Sequence, residues 1–404
     1  MKRPRKILYI HHGSGKAGGA NSLLRMIQHL DTTRFHSIVA CGYSEPGARE
    51  FFEKSGFQPI DMPMARFVHF AKWWPLYSPR GIFGMVKWLL VKQPRSLFRL
   101  RNILKQTQTD IVHLNSLTVA PLIPMIKRHN IPVLLHVREP VASGTLGVRR
   151  LWLRHLARQA DHVIYICEDN RDRLTGPMPN ASVLYDPIPF DKFDKSLNGH
   201  PIRLELGIAE KSKVLFFPGG SSLVLKGIFP FLEALAYVRE HNDNIIAIIP
   251  GIDTLAHSRR TRNPHSINAT IAKLKIENNI VRAPFTSAVE KYYAASDIVV
   301  VPFVKPHFSL GVLEAGAMAK PVVGSDIGGI NEVLTEGRNG LLACPGDAKD
   351  LSEKIVALLS NPDKASALGK AGYKISYDNY RSAQYPITVM NIYDRIETQK
   401  QQTT

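Results

Sequence analysis

Short runs of consecutive apolar residues recur along the chain, separated by stretches whose apolar positions come every three or four residues. In the first half the runs are KILYI (6–10), HSIVACGY (36–43), DIVHLNS (110–116), PVLLHVRE (132–139) and HVIYICE (162–168). SLLRMIQHL (22–30) is the first of the helical stretches between them. Strands that read as continuously apolar are buried on both faces, and their alternation with helices predicts a parallel sheet. The pattern pauses at DPIPFDKFDKSLNGHP (186–201), rich in Pro, Asp and Gly, which reads as a linker. It restarts with KVLFFPGG (213–220), NIIAIIPG (244–251), NNIVRAPF (278–285), SDIVVVPF (296–303), PVVGSD (321–326) and GLLACP (340–345). The expected fold is α/β: two Rossmann-like, doubly wound domains with a cleft between them, and ligands at the carboxyl ends of the strands. The domains are expected at residues 1–195 and 196–380. The last helical stretch, 364–398, is longer than the second sheet needs, so residues 381–404 are expected to cross back to the first domain.

Composition narrows the class. The 404 residues are 44% hydrophobic and 21% charged, as in a soluble globular protein. Cys41, Cys167 and Cys344 are scattered, which argues against a disulfide framework or zinc cluster and for a reducing compartment. MKRPRKILYIHHGSG holds too short an apolar core for a signal peptide, and no run reaches the length of a membrane span. A cytoplasmic protein is expected. The formal charge of +18 is unevenly placed: residues 62–160 carry 16 Lys or Arg against two acids, Asp110 and Glu139. Within them, 66–105 interleaves aromatics, leucines and nine basic residues with no acid. No nucleic-acid module is recognisable there. A solvated basic surface around ordinary helices is the plainer reading. A membrane-surface role fits better, with Trp73, Trp74, Phe83, Trp88, Leu89 and Leu90 entering the interface and the cations meeting anionic headgroups.

Three glycine loops carry candidate chemistry. The first, Gly13 to Gly19, spells G-x-G-x-x-G between strand and helix, but the second strand ends in Cys41-Gly42-Tyr43 without the acid a dinucleotide ribose needs. Nor is it a P-loop, because Lys16 precedes the glycine pair. Gly18 and Gly19 remain suited to close approach of a diphosphate or sugar to a helix start. The second loop, Phe217 to Gly227, follows a strand and sets a single cation, Lys226, before the next helix, either a counter-charge for a diphosphate or a surface lysine. The third is FSLGVLEAGAMAKPVVGSDIGG (308–329). Ser309 reads as an N-cap that leaves the amides of Leu310, Gly311 and Val312 to point at an anion. Glu314, one turn further, is expected to be partly buried and to need a hydrogen-bond partner such as ribose hydroxyls; a solvent-facing glutamate is the competing reading.

The order and spacing of these loops resemble the retaining glycosyltransferases of family 4, which have the GT-B fold. The resemblance runs through GGA (18–20), DIVHLNS, LLHVREP around His136, ADHVIYICE (160–168) and KG at 226–227. It continues in YYAASDIVVVPF (292–303), LEAGAMAKPVVGSDIGG (313–329) and NGLLACPGD (339–347). It implies a nucleotide-sugar site mostly in the second domain and an acceptor site in the first. Glu314 would grip the ribose, Lys226 would hold the diphosphate, and Gly19, Gly220, Ser221, Leu310 and Gly311 would line it. Ala283 to Phe285 would take the base. His136 would sit near the anomeric carbon, with Asn21, Asn115 and Arg138 on the acceptor side. No cofactor and no divalent metal would be needed. Two departures stand out. The family's glutamate for the transferred sugar is Pro306 here, which leaves sugar contacts to His307, Phe308 and Ser309. The arginine preceding the second-loop lysine is Ser221, so Arg259, Arg260 or Arg262 would have to supply a second cation.

The expected activity is therefore metal-independent, retaining transfer of a hexose-type sugar from a nucleoside diphosphate to a saccharide or lipid-linked acceptor. Cell-surface polysaccharide assembly, at the inner face of a membrane, would be its setting. A sugar-nucleotide 2-epimerase shares the architecture but needs acids and bases around the sugar. A non-catalytic nucleotide-binding partner of another transferase is the third reading.

Overall fold

A computed structural model describes residues 3–13, 18–42, 47–67, 79–141, 147–219, 223–253, 266–381 and 384–403. The chain divides into two compact units, Met1–Asp186 with Ala383–Thr404, and Pro187–Ser382. The division falls at Asp186–Pro187 rather than after residue 195. The reason is local packing: Ile188 and Phe193 are fully buried in the second unit, Ile188 N–H donates to Tyr380 O at 2.8 Å, and Phe193 lies edge-on to Tyr293.

The first unit holds seven parallel strands: β1 (Arg5–His11), β2 (Phe35–Cys41), β3 (Ile60–Asp61), β4 (Ile111–Leu114), β5 (Val133–Val137), β6 (His162–Tyr165) and β7 (Ala181–Val183). Their order is β3-β2-β1-β4-β5-β6-β7. The edge strands β3 and β7 are too short and too polar to be seen in the hydrophobic pattern. Alternate residues of the inner strands serve opposite cores. Leu8, Ile10, Val112, Leu114 and Leu135 pack on one face, and Ile7, Tyr9, Ile111 and Leu134 on the other, as a sheet covered on both sides requires.

The second unit holds six: β8 (Lys213–Phe216), β9 (Ile245–Ile248), β10 (Ile280–Val281), β11 (Ile298–Val301), β12 (Val322–Ser325) and β13 (Leu341–Ala343), in the order β10-β9-β8-β11-β12-β13. The strand order reverses between β1 and β4 in one sheet and between β8 and β11 in the other. At such a switch the flanking loops part, and their carboxyl-end crevice is where open α/β sheets bind ligands.

The expected single helical stretch over 364–398 is two helices, Pro362–Asn379 in the second unit and Gln384–Thr403 in the first. Pro386 explains the break: it lacks an N–H and is tolerated in a first helical turn but not in the middle of a helix. Tyr385, Val389, Ile392, Tyr393 and Ile396 are one face of the final helix, and they are buried with Ile7, Tyr9 and Phe35 of the first sheet.

Candidate functional site

Each switch point carries a cluster of polar side chains. In the second unit, β8 runs into Pro218-Gly219 and the chain returns at Lys226-Gly227 to start the helix Ile228–His241. Gly227 has φ of +80°, and a Cβ there would lie 1.8 Å from Pro302 O, so only glycine brings this turn against the end of β11. Lys226 is thereby held inward. Its Nζ donates to Gly219 O at 2.5 Å and lies 5.7 Å from the centroid of the Phe303 ring. Burial pulls the ammonium pKa down from its ordinary value, and the charge of Glu314 opposes that drop.

Glu314 is half-buried on the helix Leu310–Ala317. Tyr293 Oη donates to its Oε2 at 2.8 Å. Burial, reinforced by Glu314, raises the Tyr293 phenol well above its ordinary pKa, so this hydroxyl keeps its proton. The carboxylate therefore has a fixed protein donor that sequence reasoning did not identify. The signal was the second tyrosine of YYAASD, at the end of the helix Glu290–Ala295 that leads into β11.

Ser309 occupies the N-cap position with extended backbone, but its side chain makes no capping hydrogen bond, contrary to expectation. Val312 N–H instead donates to Ser309 O at 3.3 Å, a tight first turn. Among the described residues, the Leu310 and Gly311 amides are left without a partner; Val312 is not one of them. Ser309 and Phe308 are buried.

His307 stacks on Phe303, with ring centroids 6.0 Å apart. The His307 backbone N–H donates to Gly328 O at 3.1 Å, and Gly329, at φ +86°, brings its backbone so close that a Cβ would meet His307 C at 2.7 Å. The glycine pair after β12 thus clamps the loop that replaces the expected glutamate. Burial and the nearby Lys226 charge hold His307 at a pKa of about 4, so the ring is neutral, and its Nδ1 is buried without a hydrogen-bond partner. Ala283 is buried and accepts the Gly251 N–H at 3.0 Å, while Phe285 is exposed beside Gly251. Gly220, Ser221, Arg259, Arg260 and Arg262 lie outside the described residues.

The first unit corrects the sequence reading more sharply. His136 has 0% exposure. It stacks on His113 at 5.5 Å and accepts from Arg138 at 3.4 Å through Nδ1, and burial together with Arg138 holds its pKa far below the ordinary value. Arg138 is itself consumed. Its Nη1 donates to both Asp186 carboxylate oxygens at 2.7 and 2.8 Å, and its Nε to Asn115 Oδ1 at 2.7 Å. Asn115 turns its Nδ2 to Gly19 O at 3.2 Å and to His11. His136, Arg138 and Asn115 therefore form a sealed network that fixes strand ends; they are not an open acceptor surface. Asn21 is half-buried on the helix Gly18–Gln28, and Gly19 lies against the Arg138 stem.

Among the described residues here, His12 and Glu139, just beyond β1 and β5, are partly open to solvent, with side-chain exposures of 20% and 15%. His12 Nε2 is 3.7 Å from Glu139 Oε1. Ser116 Oγ donates to the same carboxylate, as does Leu117 N–H at 3.0 Å. Desolvation nevertheless leaves the Glu139 pKa raised. Both residues stand at carboxyl ends of parallel strands, and that position is the signal that could have found them. Among the described residues no three His, Cys, Asp or Glu side chains converge as metal ligands would.

Two parallel α/β sheets, each with a polar cluster at its switch point, define a GT-B-type architecture, and comparison with known proteins agrees. Residues 17–189 match the glycosyl transferase 4-like domain and residues 201–375 match glycosyl transferases group 1. The chain belongs to the group 1, family-4-like glycosyltransferases. Among curated relatives, the D-inositol 3-phosphate glycosyltransferase of Segniliparus rotundus is 29% identical over 172 residues, 42% of this chain and 37% of the relative. The N-acetyl-alpha-D-glucosaminyl L-malate synthase of Bacillus anthracis is 25% identical over 193 residues, 48% of each. The matches thus span about half or less of these relatives' lengths. Among solved structures, Anabaena Alr3699/HepE in complex with UDP and glucose aligns with a TM-score of 0.77 at 17% identity, covering 96% of this chain and 99% of that one. WaaG, described as a glycosyltransferase involved in lipopolysaccharide biosynthesis, gives 0.67 at 16%, covering 96% and 99%.

Proposed function

We propose that this glycosyltransferase is a retaining hexosyltransferase that takes a nucleoside-diphosphate sugar at the β8/β11 switch point of its second unit. One observation carries the reading: Lys226, the tyrosine-held Glu314, neutral His307 and the Leu310 and Gly311 amides, without a partner among the described residues, all follow the carboxyl ends of β8 and β11. A cation and free amides at a helix start suit a diphosphate. A carboxylate with a fixed donor suits a vicinal diol, whose two O–H groups it accepts. A neutral imidazole can donate to or accept from a sugar hydroxyl, the role left vacant by Pro306. Ala283 to Phe285 would meet the base beside Gly251.

In this reading the anomeric bond breaks toward Lys226 and the Leu310 and Gly311 amides, which offset the charge on the departing diphosphate without a divalent metal. The acceptor hydroxyl attacks from the same face and gives its proton to the leaving phosphate oxygen. No protein nucleophile is assigned. The acceptor side belongs to the first unit, where Glu139 and His12, rather than buried His136, are the groups available to hydroxyls. A nucleotide-sugar donor is supported by the UDP-bound Anabaena fold neighbour. The WaaG likeness supports a saccharide or lipid-linked acceptor in cell-surface polysaccharide assembly.

The test is thermal stabilisation of wild type and Glu314→Ala across UDP, GDP, ADP, dTDP and their sugars. A ligand at a hundredfold its dissociation constant stabilises by about 2.7 kcal/mol. One nucleotide should stabilise the wild type strongly and the variant much less; no stabilisation of a folded wild type by any of them would overturn the donor site. Pro306 also suits a nucleotide-binding partner without turnover, and release of free sugar or product from the stabilising donor separates the two.

A further inference from the structure

Residues 79–107 form one helical run: Pro79–Lys87, a π-helical turn Trp88–Lys92, and Gln93–Thr107. A surface helix ordinarily turns its apolar stripe to the core. Here the stripe is inverted. Ile82, Phe83, Val86, Leu89 and Leu90 follow offsets of 0, 1, 4, 7 and 8, and all five are exposed, Phe83 at 68% and Leu90 at 72%. Phe98, further along, is also 68% exposed. A second helix, Val148–Arg158, exposes Val148 and Leu151.

Three aromatic rings join the two helices. Trp88, expected at the interface, is instead buried: its indole N–H donates to Ala65 O at 3.2 Å. Its ring packs edge-on to Phe67 at 5.7 Å and to Trp152 of the second helix at 6.4 Å, and Phe67 meets Trp152 at 4.6 Å. Trp73 and Trp74 lie outside the described residues. The cluster, with Trp88 buried and Phe67 and Trp152 half-buried, thus anchors a surface whose outer groups are Phe and aliphatic side chains, flanked by exposed Lys87, Lys92, Arg95, Arg101 and Lys105. Neither 79–107 nor 148–158 contains an Asp or Glu.

We propose that this two-helix surface of the first unit docks on an anionic lipid bilayer, with the exposed stripe of 82–90 in the headgroup–acyl boundary and the cations on lipid phosphates. The pattern is that of an interfacial helix: apolar side chains without hydrogen-bonding groups, bordered by cations, with no acid in either helix to repel the surface. Each cation near such a surface contributes about 1 kcal/mol, so the charge and the stripe act together. No described helix is long and apolar enough to cross a membrane, and this surface binds without crossing. The proposal stands apart from the donor-site reading, because docking needs neither nucleotide nor turnover.

The experiment is sedimentation of the full chain with vesicles of phosphatidylcholine alone and of phosphatidylcholine with phosphatidylglycerol. Wild type should bind the anionic vesicles and leave the neutral ones. Phe83→Ser/Leu90→Ser and Lys87→Glu/Lys92→Glu should each bind at least about tenfold more weakly. All four positions are exposed, so melting temperature and nucleotide stabilisation should be unchanged. Leu204→Ser, an exposed apolar position in the second unit, should bind as wild type does. Failure of wild type to bind, or binding by either double variant equal to wild type, would overturn the proposal and leave a protein partner as the occupant.

Discussion

Tyr293 and Glu314 show how one hydrogen bond bears on function at the residue scale. Tyr293→Phe keeps the ring that packs on Phe216 and Phe193 and removes only the hydroxyl that donates to Glu314. A hydrogen bond to a charged group contributes about 1.5–3 kcal/mol. Affinity for the stabilising nucleotide, measured by titration calorimetry, should therefore fall by about tenfold or more. Unchanged affinity would mean that Glu314 is oriented by its helix alone. Glu314 itself was legible in the sequence, because a lone carboxylate among small residues needs a partner. Its partner was not, since 21 positions separate the two and only the packing of the Glu290–Ala295 helix against the Leu310–Ala317 helix joins them. His136 failed in the opposite sense: the motif was visible, but burial of its ring under Arg138 and beside His113 was not.

At the scale of elements, the turn from Lys226 into its helix depends on a close approach. Gly227→Ala would place a methyl 1.8 Å from Pro302 O at a backbone angle that favours glycine. The left-handed conformation alone costs about 1–2 kcal/mol, and relief of the clash must push the turn away from β11. The variant should melt lower and, because Lys226 moves with the turn, lose nucleotide stabilisation out of proportion to its lost stability. Retained stabilisation in a destabilised protein would separate the glycine's role from that of Lys226. Element types were readable wherever the period was clean: the inner strands as apolar runs and 364–398 as helical, though its division into two helices was not. The edge strands β3 and β7 of the first sheet were too short to be read, and the direction of the 82–90 stripe was not readable, because an apolar stripe has the same spacing whether it faces a core or solvent.

At the scale of the whole molecule, both units bury neutral histidines. His113 and His136 in the first unit lie well below the ordinary imidazole pKa through burial, and His162 and His307 stand at about 4. Each folded-state value is depressed below the unfolded one, about 6.5. Their contribution to stability is therefore full above that pH and is lost as pH falls toward the folded values. Each contributes a slope of up to about 1.4 kcal/mol per pH unit in that window. Glu139, with a raised carboxyl pKa, offsets part of the loss. The urea midpoint should drop steadily from pH 7 toward about pH 4.5, and His162→Gln should flatten the curve. A midpoint constant across that range would contradict the burial of these rings.

The sequence alone determined the α/β class, the two sheets, the three loops and the family, because these rest on local periodicity and on residues close together along the chain. Tertiary structure decided which of those residues are exposed. Burial closed His136, Arg138 and Asn115 to solvent and left Glu139 and His12 partly exposed. Packing of Ile188 and Phe193 in the second unit set the domain boundary at Asp186. Packing of Phe67, Trp88 and Trp152 decided which side of an amphipathic helix faces outward. Exposure and long-range pairing depend on what a residue meets across the fold, and that information lies in no single stretch of the sequence.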